Sequence, residues 1–403
     1  MPAAPCQSFI ETLLGEADVV VGGSRPWDIA VHDPRFYKRV VAGGSMGLGE
    51  SYMDGWWDSP ALDQTFERVL SAGLRDRLKV SPAMLIDVLA ARLANLPYEL
   101  PGLRPFLARF RSHEAVAETH YETGNDFYEN ILCDRMIYSC GFWETATNFA
   151  DAGVAKLDLA CRKLGLRPGQ RILDIGCGWG AFAKYAAETY GVSVVGVTIS
   201  EEQRKLGVER CAGLPVDLRR MDYRDLGAER FGRFDHVTSF AMFEHVGRDN
   251  FEAYFHIARE HLADGGLFLL ETMGENVSGT VCNPWFQKYI FQGPTSVFPS
   301  IREIAAATEG RFVMEDWHNF GADYAPTLRA WHANLAAHRD QIVERHGERF
   351  YRMWVFYLLS GAGAFASRGF QMWQVVFAKR GVAGGYRRDR ADIATSASPA
   401  LAA

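Results

Sequence analysis

The sequence predicts an α/β fold: a Rossmann-like sheet with helices on both faces, preceded by a smaller, mostly helical N-terminal domain. Three observations lead there. From about residue 113 to 380, short apolar runs alternate with helical stretches, the pattern of a parallel sheet with helical crossovers. Within that region RILDIGCGWGAFAKYAAETYG, Arg171–Gly191, reads as a strand, a glycine-rich turn and a helix. Upstream, Pro82, Pro97, Pro101 and Pro105 cut residues 66–112 into short helices.

The elements follow in order. Residues 18–65 combine an alternating stretch, WDIAVHD, with compact pieces rich in glycine and aromatics, GGSMGLGESYMDGWW. A helix is expected to begin at Pro34, capped by Asp33. Between Arg68 and Arg111 eight basic residues (Arg68, Arg75, Arg77, Lys79, Arg92, Arg104, Arg109, Arg111) face only Asp76, Asp87 and Glu99. That is either a solvated helix face or a patch that meets anionic headgroups. The end, GGYRRDRADIATSASPALAA, is small and polar and is expected to be disordered. The expected division is 1–112, 113–385 and a tail, 386–403.

Composition narrows the function. The chain has 403 residues, 48% hydrophobic and 23% charged, with a net charge of −6. That is enough for a sizeable core and does not suggest a nucleic-acid binder. Seven cysteines lie far apart without CxxC spacing, which fits a reducing compartment rather than a disulfide scaffold. The N-terminus has no basic segment of a signal peptide. The longest charge-free apolar run, Met353–Ala366, is shorter than the roughly 20 residues of a spanning helix. The expectation is a cytoplasmic protein able to touch a membrane surface.

Candidate ligand residues gather where strands end. Asp174 closes the first strand, and Gly176, Gly178 and Gly180 form a turn that lets a ligand approach the backbone and the following helix N-terminus. The spacing is GxGxG, not the dinucleotide fingerprint. The second strand, SVVGVTIS, ends in Thr198 and Ser200, without the acid that grips a ribose in dinucleotide sites. Asp222 and Tyr223 in MDYRDL are placed to face an adenine edge and ring. FDHVTSFAMFEHVG carries an acid and a histidine just past its carboxyl end, where open α/β sheets bind ligands.

LDIGCGWG, VVGVTIS, MFEHVG and EDWHNFGADY, with GESYMDGWW, HYETGNDFYENIL and YSC upstream, resemble the cyclopropane-fatty-acyl-phospholipid synthase family from about Gly22 to Gly381. GESYMDGWW is similar to the full-length bacterial enzymes, which have an N-terminal lipid-binding domain. The resemblance implies a seven-stranded S-adenosylmethionine-dependent methyltransferase sheet acting on membrane phospholipids with unsaturated acyl chains. It implies that Tyr138 and Ser139 touch the cofactor and that Asp174, Gly176, Gly178 and Gly180 form its turn. Thr198, Ser200 and Gln203 would hold the ribose and methionine part, and Asp222, Tyr223 and Arg224 the adenine. A homodimer through the N-terminal domain is also implied.

The reaction so implied adds a methylene across a cis double bond. The alkene attacks the sulfonium methyl, a cation forms on the acyl chain, a base takes a proton from the new methyl, and the ring closes. Aromatic faces can stabilise such a cation; candidates are Phe142, Trp143, Trp285, Phe286, Tyr289, Phe291, Trp317, Phe320, Tyr324 and Trp331, most of them expected to be core. In the family the base is a bound bicarbonate. Cys140, Glu244 and Tyr324 match its holders. At the fourth position the family has a histidine and this chain has Glu271, in LLETMG. An ionised Glu cannot donate to bicarbonate, and three anionic groups in one pocket would force a proton onto one of them. Glu271 therefore acts as the base without bicarbonate, the weakly preferred reading, or donates while protonated, or turns to a nearby cation. Gly361 departs as well, since some relatives carry Cys there. The alternatives are methyl transfer without ring closure, giving a branched chain, and a lipid- and cofactor-binding protein without catalysis.

Overall fold

The computed structural model describes residues 4–74, 124–280, 282–291 and 296–386. The proline-broken helices, all of the basic segment beyond Arg68, and the tail from residue 387 lie outside these. The chain forms two compact units: Met1–Val116 with Val281–Pro294 and Tyr324–Phe370, and Ala117–Thr280 with Thr295–Asp323 and Gln371–Ala403. Two later segments, Val281–Pro294 and Tyr324–Phe370, group with the N-terminal elements, which the expected division at residue 113 did not include.

The reason lies in the longest apolar run. Met353–Ala366 belongs to the helix Glu348–Ala366, whose sides are buried by elements of its own unit. A Cβ on Gly363 would lie 2.5 Å from the Asp63 carbonyl oxygen, so this glycine lets the helix Leu62–Ser71 come close. Phe356 packs against Tyr52, Phe66 and Trp285, the last at 4.6 Å between ring centroids. The helix after Pro34 runs Arg35–Met53 and is broken at Gly44 (φ 51°). Asp33 caps it from one residue further out than expected, accepting the Arg35 N–H at 2.9 Å. Arg68 is committed within the fold, paired with Asp18 at 2.8 Å and stacked over Trp27.

The second unit holds a seven-stranded sheet. We number its strands β1 (Arg171–Ile175), β2 (Ser193–Thr198), β3 (Val216–Arg220), β4 (Phe234–Phe240), β5 (Leu262–Glu275), β6 (Val313–Asn319) and β7 (Phe370–Ala378). The spatial order is β3-β2-β1-β4-β5-β7-β6. β1 pairs in parallel with β2 and β4, β2 with β3, and β4 with β5, whereas β6 and β7 are antiparallel. The strands form because their apolar runs are buried: all of β1 after Arg171 is buried, and so is β7 beyond Phe370. The order reverses between β2–β1 and β4, which places the switch point at the carboxyl ends of β1 and β4. The helix Phe149–Leu164 starts at Asn148, whose side chain accepts the Asp151 N–H, and stops at left-handed Gly165. It packs against β5.

Candidate functional site

Past β1, Gly176, Gly178 and Gly180 all have left-handed φ, +83°, +54° and +77°. Two of them serve packing. A Cβ on Gly176 would lie 2.5 Å from Met242 Cγ, and one on Gly180 would lie 2.9 Å from Leu218 Cδ1. Gly178 is different: a Cβ there would meet nothing within 4 Å. The turn therefore fronts open space at Gly178, beside the first-turn amides of the helix Ala181–Tyr190. A cofactor that must approach the backbone closely fits this cradle. Gly178→Val fills that space and strains a positive φ, so it should abolish S-adenosylmethionine binding measured by calorimetry while the protein stays folded. Unchanged affinity in the folded variant would overturn the placement.

Around the turn, Asp174 is buried and accepts the Thr238 hydroxyl at 3.0 Å. Thr198 donates to Gln203 Oε1 at 2.9 Å, and Ser200 caps the next helix by accepting the Gln203 N–H at 3.3 Å. The three residues expected to hold ribose and methionine are thus one linked group. Asp222 takes the Arg224 guanidinium at 2.5 Å, and the Tyr223 ring lies in the core, 5.4 Å from Tyr254. Asp222 and Arg224, both expected at the adenine, thus form one ion pair beside the buried Tyr223 ring. Tyr138 is half-buried, edge-on to Tyr128, which packs against Trp179 of the glycine turn.

The anion candidates divide between the units. Cys140, Glu244 and Glu271 lie in the sheet unit, whereas Tyr324 opens the helix Tyr324–Ala337 of the other unit, its ring 4.5 Å from Phe365. Cys140 is fully buried and its thiol donates to the Gly141 carbonyl at 3.2 Å. Glu244 stands on the short turn after β4 and is 0% exposed. Its Oε1 accepts the Met273 N–H at 2.6 Å, and its buried Oε2 has no hydrogen-bond partner among the described residues. Burial pushes its carboxyl up to about 7, against the Met273 amide and the Thr272 hydroxyl, with Glu271 adding to the rise. Burial likewise pushes Asp174 up to about 7, against Thr238 and Lys156.

These two acids fix a sign. Each keeps its proton in the folded state at a pH where the unfolded chain has lost it. Their contribution to stability is full below about 4 and falls as pH rises to about 7. Urea unfolding should show this loss between about pH 4 and 7, and Glu244→Gln should flatten the slope. An equally steep slope in that variant would contradict the assignment.

The sequence profile described as mycolic acid cyclopropane synthetase matches residues 109–375. The chain belongs to this family. It is 47% identical over 375 residues to the Escherichia coli (strain K12) cyclopropane-fatty-acyl-phospholipid synthase, covering 93% of this chain and 94% of that one. A Pseudomonas putida protein described as a probable fatty acid methyltransferase is 35% identical, covering 82% of this chain and 86% of its own. Among solved structures, the mycolic acid cyclopropane synthase CmaA1 complexed with SAH and CTAB superposes with a TM-score of 0.60 at 28% identity, over 67% of this chain and 99% of that one.

Glu271 is the position at which the sequence reading expected a departure from the family pattern. It lies on β5, 0% exposed; Gln374 donates to its Oε2 at 2.7 Å and Lys156 Nζ stands 3.5 Å from its Oε1. Of the three expected arrangements the structure has the pairing with a cation, which replaces the preferred direct-base reading. The physical reason is burial: an isolated carboxylate is costly there, and an ammonium on the facing helix offsets it. The sequence reading missed Lys156 and Gln374. One signal was present: Lys156 and Lys163 sit seven apart among the buried residues of one helix, on the face that otherwise carries Ala152, Leu159 and Ala160.

Proposed function

We propose that the chain transfers a methylene group from S-adenosylmethionine to the cis double bond of an unsaturated phospholipid acyl chain, forming a cyclopropane ring. It is an S-adenosylmethionine-dependent methyltransferase of the cyclopropane synthase type. The observation that carries the reading is the open face of Gly178 at the end of β1, with Met242 packed on Gly176 and Glu244 two residues further on. S-adenosylmethionine, when bound, supplies an electrophilic methyl. Gly178 and the helix amides behind it would bind the cofactor, and Thr198, Ser200, Gln203 and Asp222 would orient it, with Tyr138 and Ser139 as further contacts.

The proton of the new methyl needs an acceptor. Glu244 offers one: its Oε2 is buried and without a hydrogen bond, while the Met273 amide holds Oε1 in place. Glu271 is engaged with Lys156 and Gln374, so it adds no unbalanced charge. Were bicarbonate bound, Cys140 and Glu244 would hold it, Glu244 Oε2 would accept the anion's hydroxyl, and the anion in place of Glu244 would supply the base. Lipids from a host expressing the protein test the whole reading. A gain of one CH2 per chain together with upfield ring protons in NMR supports it. The same mass gain without ring protons would favour a methyl or methylene branch. No mass gain would leave only a binding protein.

The enzyme is proposed to act as a homodimer, peripheral at the cytoplasmic membrane face. Among the described residues no helix is long and apolar enough to cross a membrane. Binding to anionic vesicles should weaken as salt rises, and further on replacing Arg104, Arg109 and Arg111 by Ser. Binding indifferent to both changes would reduce the basic segment to a solvated face.

A further inference from the structure

We propose that Lys156 is a positioning residue that holds the Tyr138–Ser139–Cys140 segment in register against the helix Phe149–Leu164, itself locked by Glu271. This rests on the reading of Ser139 as a cofactor contact and Cys140 as an anion contact. The segment has no regular secondary structure, so no ladder of backbone bonds fixes it. The helix holds it at three points. Gly153 leaves room for Ile137, whose Cδ1 would stand 2.7 Å from a Cβ there. The Phe142 N–H donates to the Ala152 carbonyl at 2.9 Å. Between these two contacts, Lys156 Nζ donates to Ser139 Oγ at 2.8 Å.

The ammonium is suited to this by its three donors. One goes to Ser139; another faces Glu271 Oε1 at 3.5 Å; and the group lies 4.5 Å from the Phe240 ring centroid. Lys156 is 1% exposed, so water cannot take over any of these contacts. Gln374 fixes the far oxygen of Glu271, so the chain of contacts runs from β7 through β5 to the segment. In this arrangement Glu271 acts on the site through Lys156 and Ser139 and touches no reacting atom.

Four proteins test it: the parent, Ser139→Ala, the charge-neutral pair Lys156→Met with Glu271→Gln, and the triple variant. Loss of one positioned hydrogen bond should raise the KM for S-adenosylmethionine about tenfold in Ser139→Ala and in the pair. The triple variant should be no worse than either. A parental KM in the pair, or a multiplied rise in the triple variant, would overturn the proposal. Should the pair fail to fold, Ser139→Ala, which removes only a hydroxyl, still decides: amide hydrogen exchange at residues 138–142 should speed up, and unchanged exchange would overturn the proposal. Failure of the parent to bind S-adenosylmethionine would instead strike the functional reading, leaving the exchange result to judge Lys156.

Discussion

Glu244→Gln is expected to remove nearly all turnover, by about 10²–10⁴-fold, the range for loss of a group that handles a proton in the transition state. Affinity for S-adenosylmethionine should stay near that of the parent. The substitution is close to isosteric. The new carboxamide oxygen can still accept the Met273 N–H, which now reaches Glu244 Oε1 at 2.6 Å. The other atom changes character. Where the buried Oε2 has no hydrogen bond, the amide presents an N–H2 group that donates and cannot accept a proton. Burial already pushes this carboxyl to about 7, so the parent's kcat/KM should rise with pH through that region as the acceptor ionises. Single-turnover assays with a phospholipid substrate, alongside calorimetric titration of the cofactor, separate the two effects. A ring product formed at the parental rate would show that Glu244 has no part in the proton transfer.

Lys156→Met should be the most destabilising single change at the site. It leaves Glu271, 0% exposed, with Gln374 as its hydrogen-bond donor and no facing cation. Breaking a buried pair from one side costs about 3–5 kcal/mol, a large share of the roughly 5–15 kcal/mol that holds a domain. Adding Glu271→Gln should return most of the loss, because a neutral amide beside a thioether carries no charge to desolvate. Urea midpoints of the single and paired variants measure both effects. If Lys156→Met unfolds at the parental midpoint, the two groups are not an ion pair in solution.

The glycine turn was legible in the sequence because its cause is local. A strand, three glycines at alternate positions and a helix follow one another within about twenty residues, and each glycine's φ is dictated there. That Thr198 ends a strand was legible for the same reason. Lys156 and Glu271 were not, because their meeting depends on how a helix settles on a strand far along the chain. A charged residue in an apolar stripe shows that something is buried, without naming its partner. The pairing of Arg224 with Asp222 and the burial of the Tyr223 ring were not legible, because neighbouring side chains of one short turn need not share a direction. The assignment of Tyr324–Phe370 to the N-terminal unit was equally hidden, since an apolar helix does not declare which layer it will join.

The place of β7 bears on how the protein emerges from the ribosome. This strand is the last of the seven in sequence, yet it sits between β5 and β6. Before residues 370–378 have been made, β6 has no neighbour in the sheet, and β5 presents a bare edge. Between β6 and β7 the chain leaves to make Tyr324–Phe370, which belongs to the other unit. The helical unit therefore completes its sequence before the sheet does. The nascent chain cannot finish one unit and then start the next, as a simple tandem protein does from its N-terminus. A nascent chain stalled just short of β7 would carry a full set of helices beside a sheet with an open slot, a form open to chaperones and to strand exchange with a second copy.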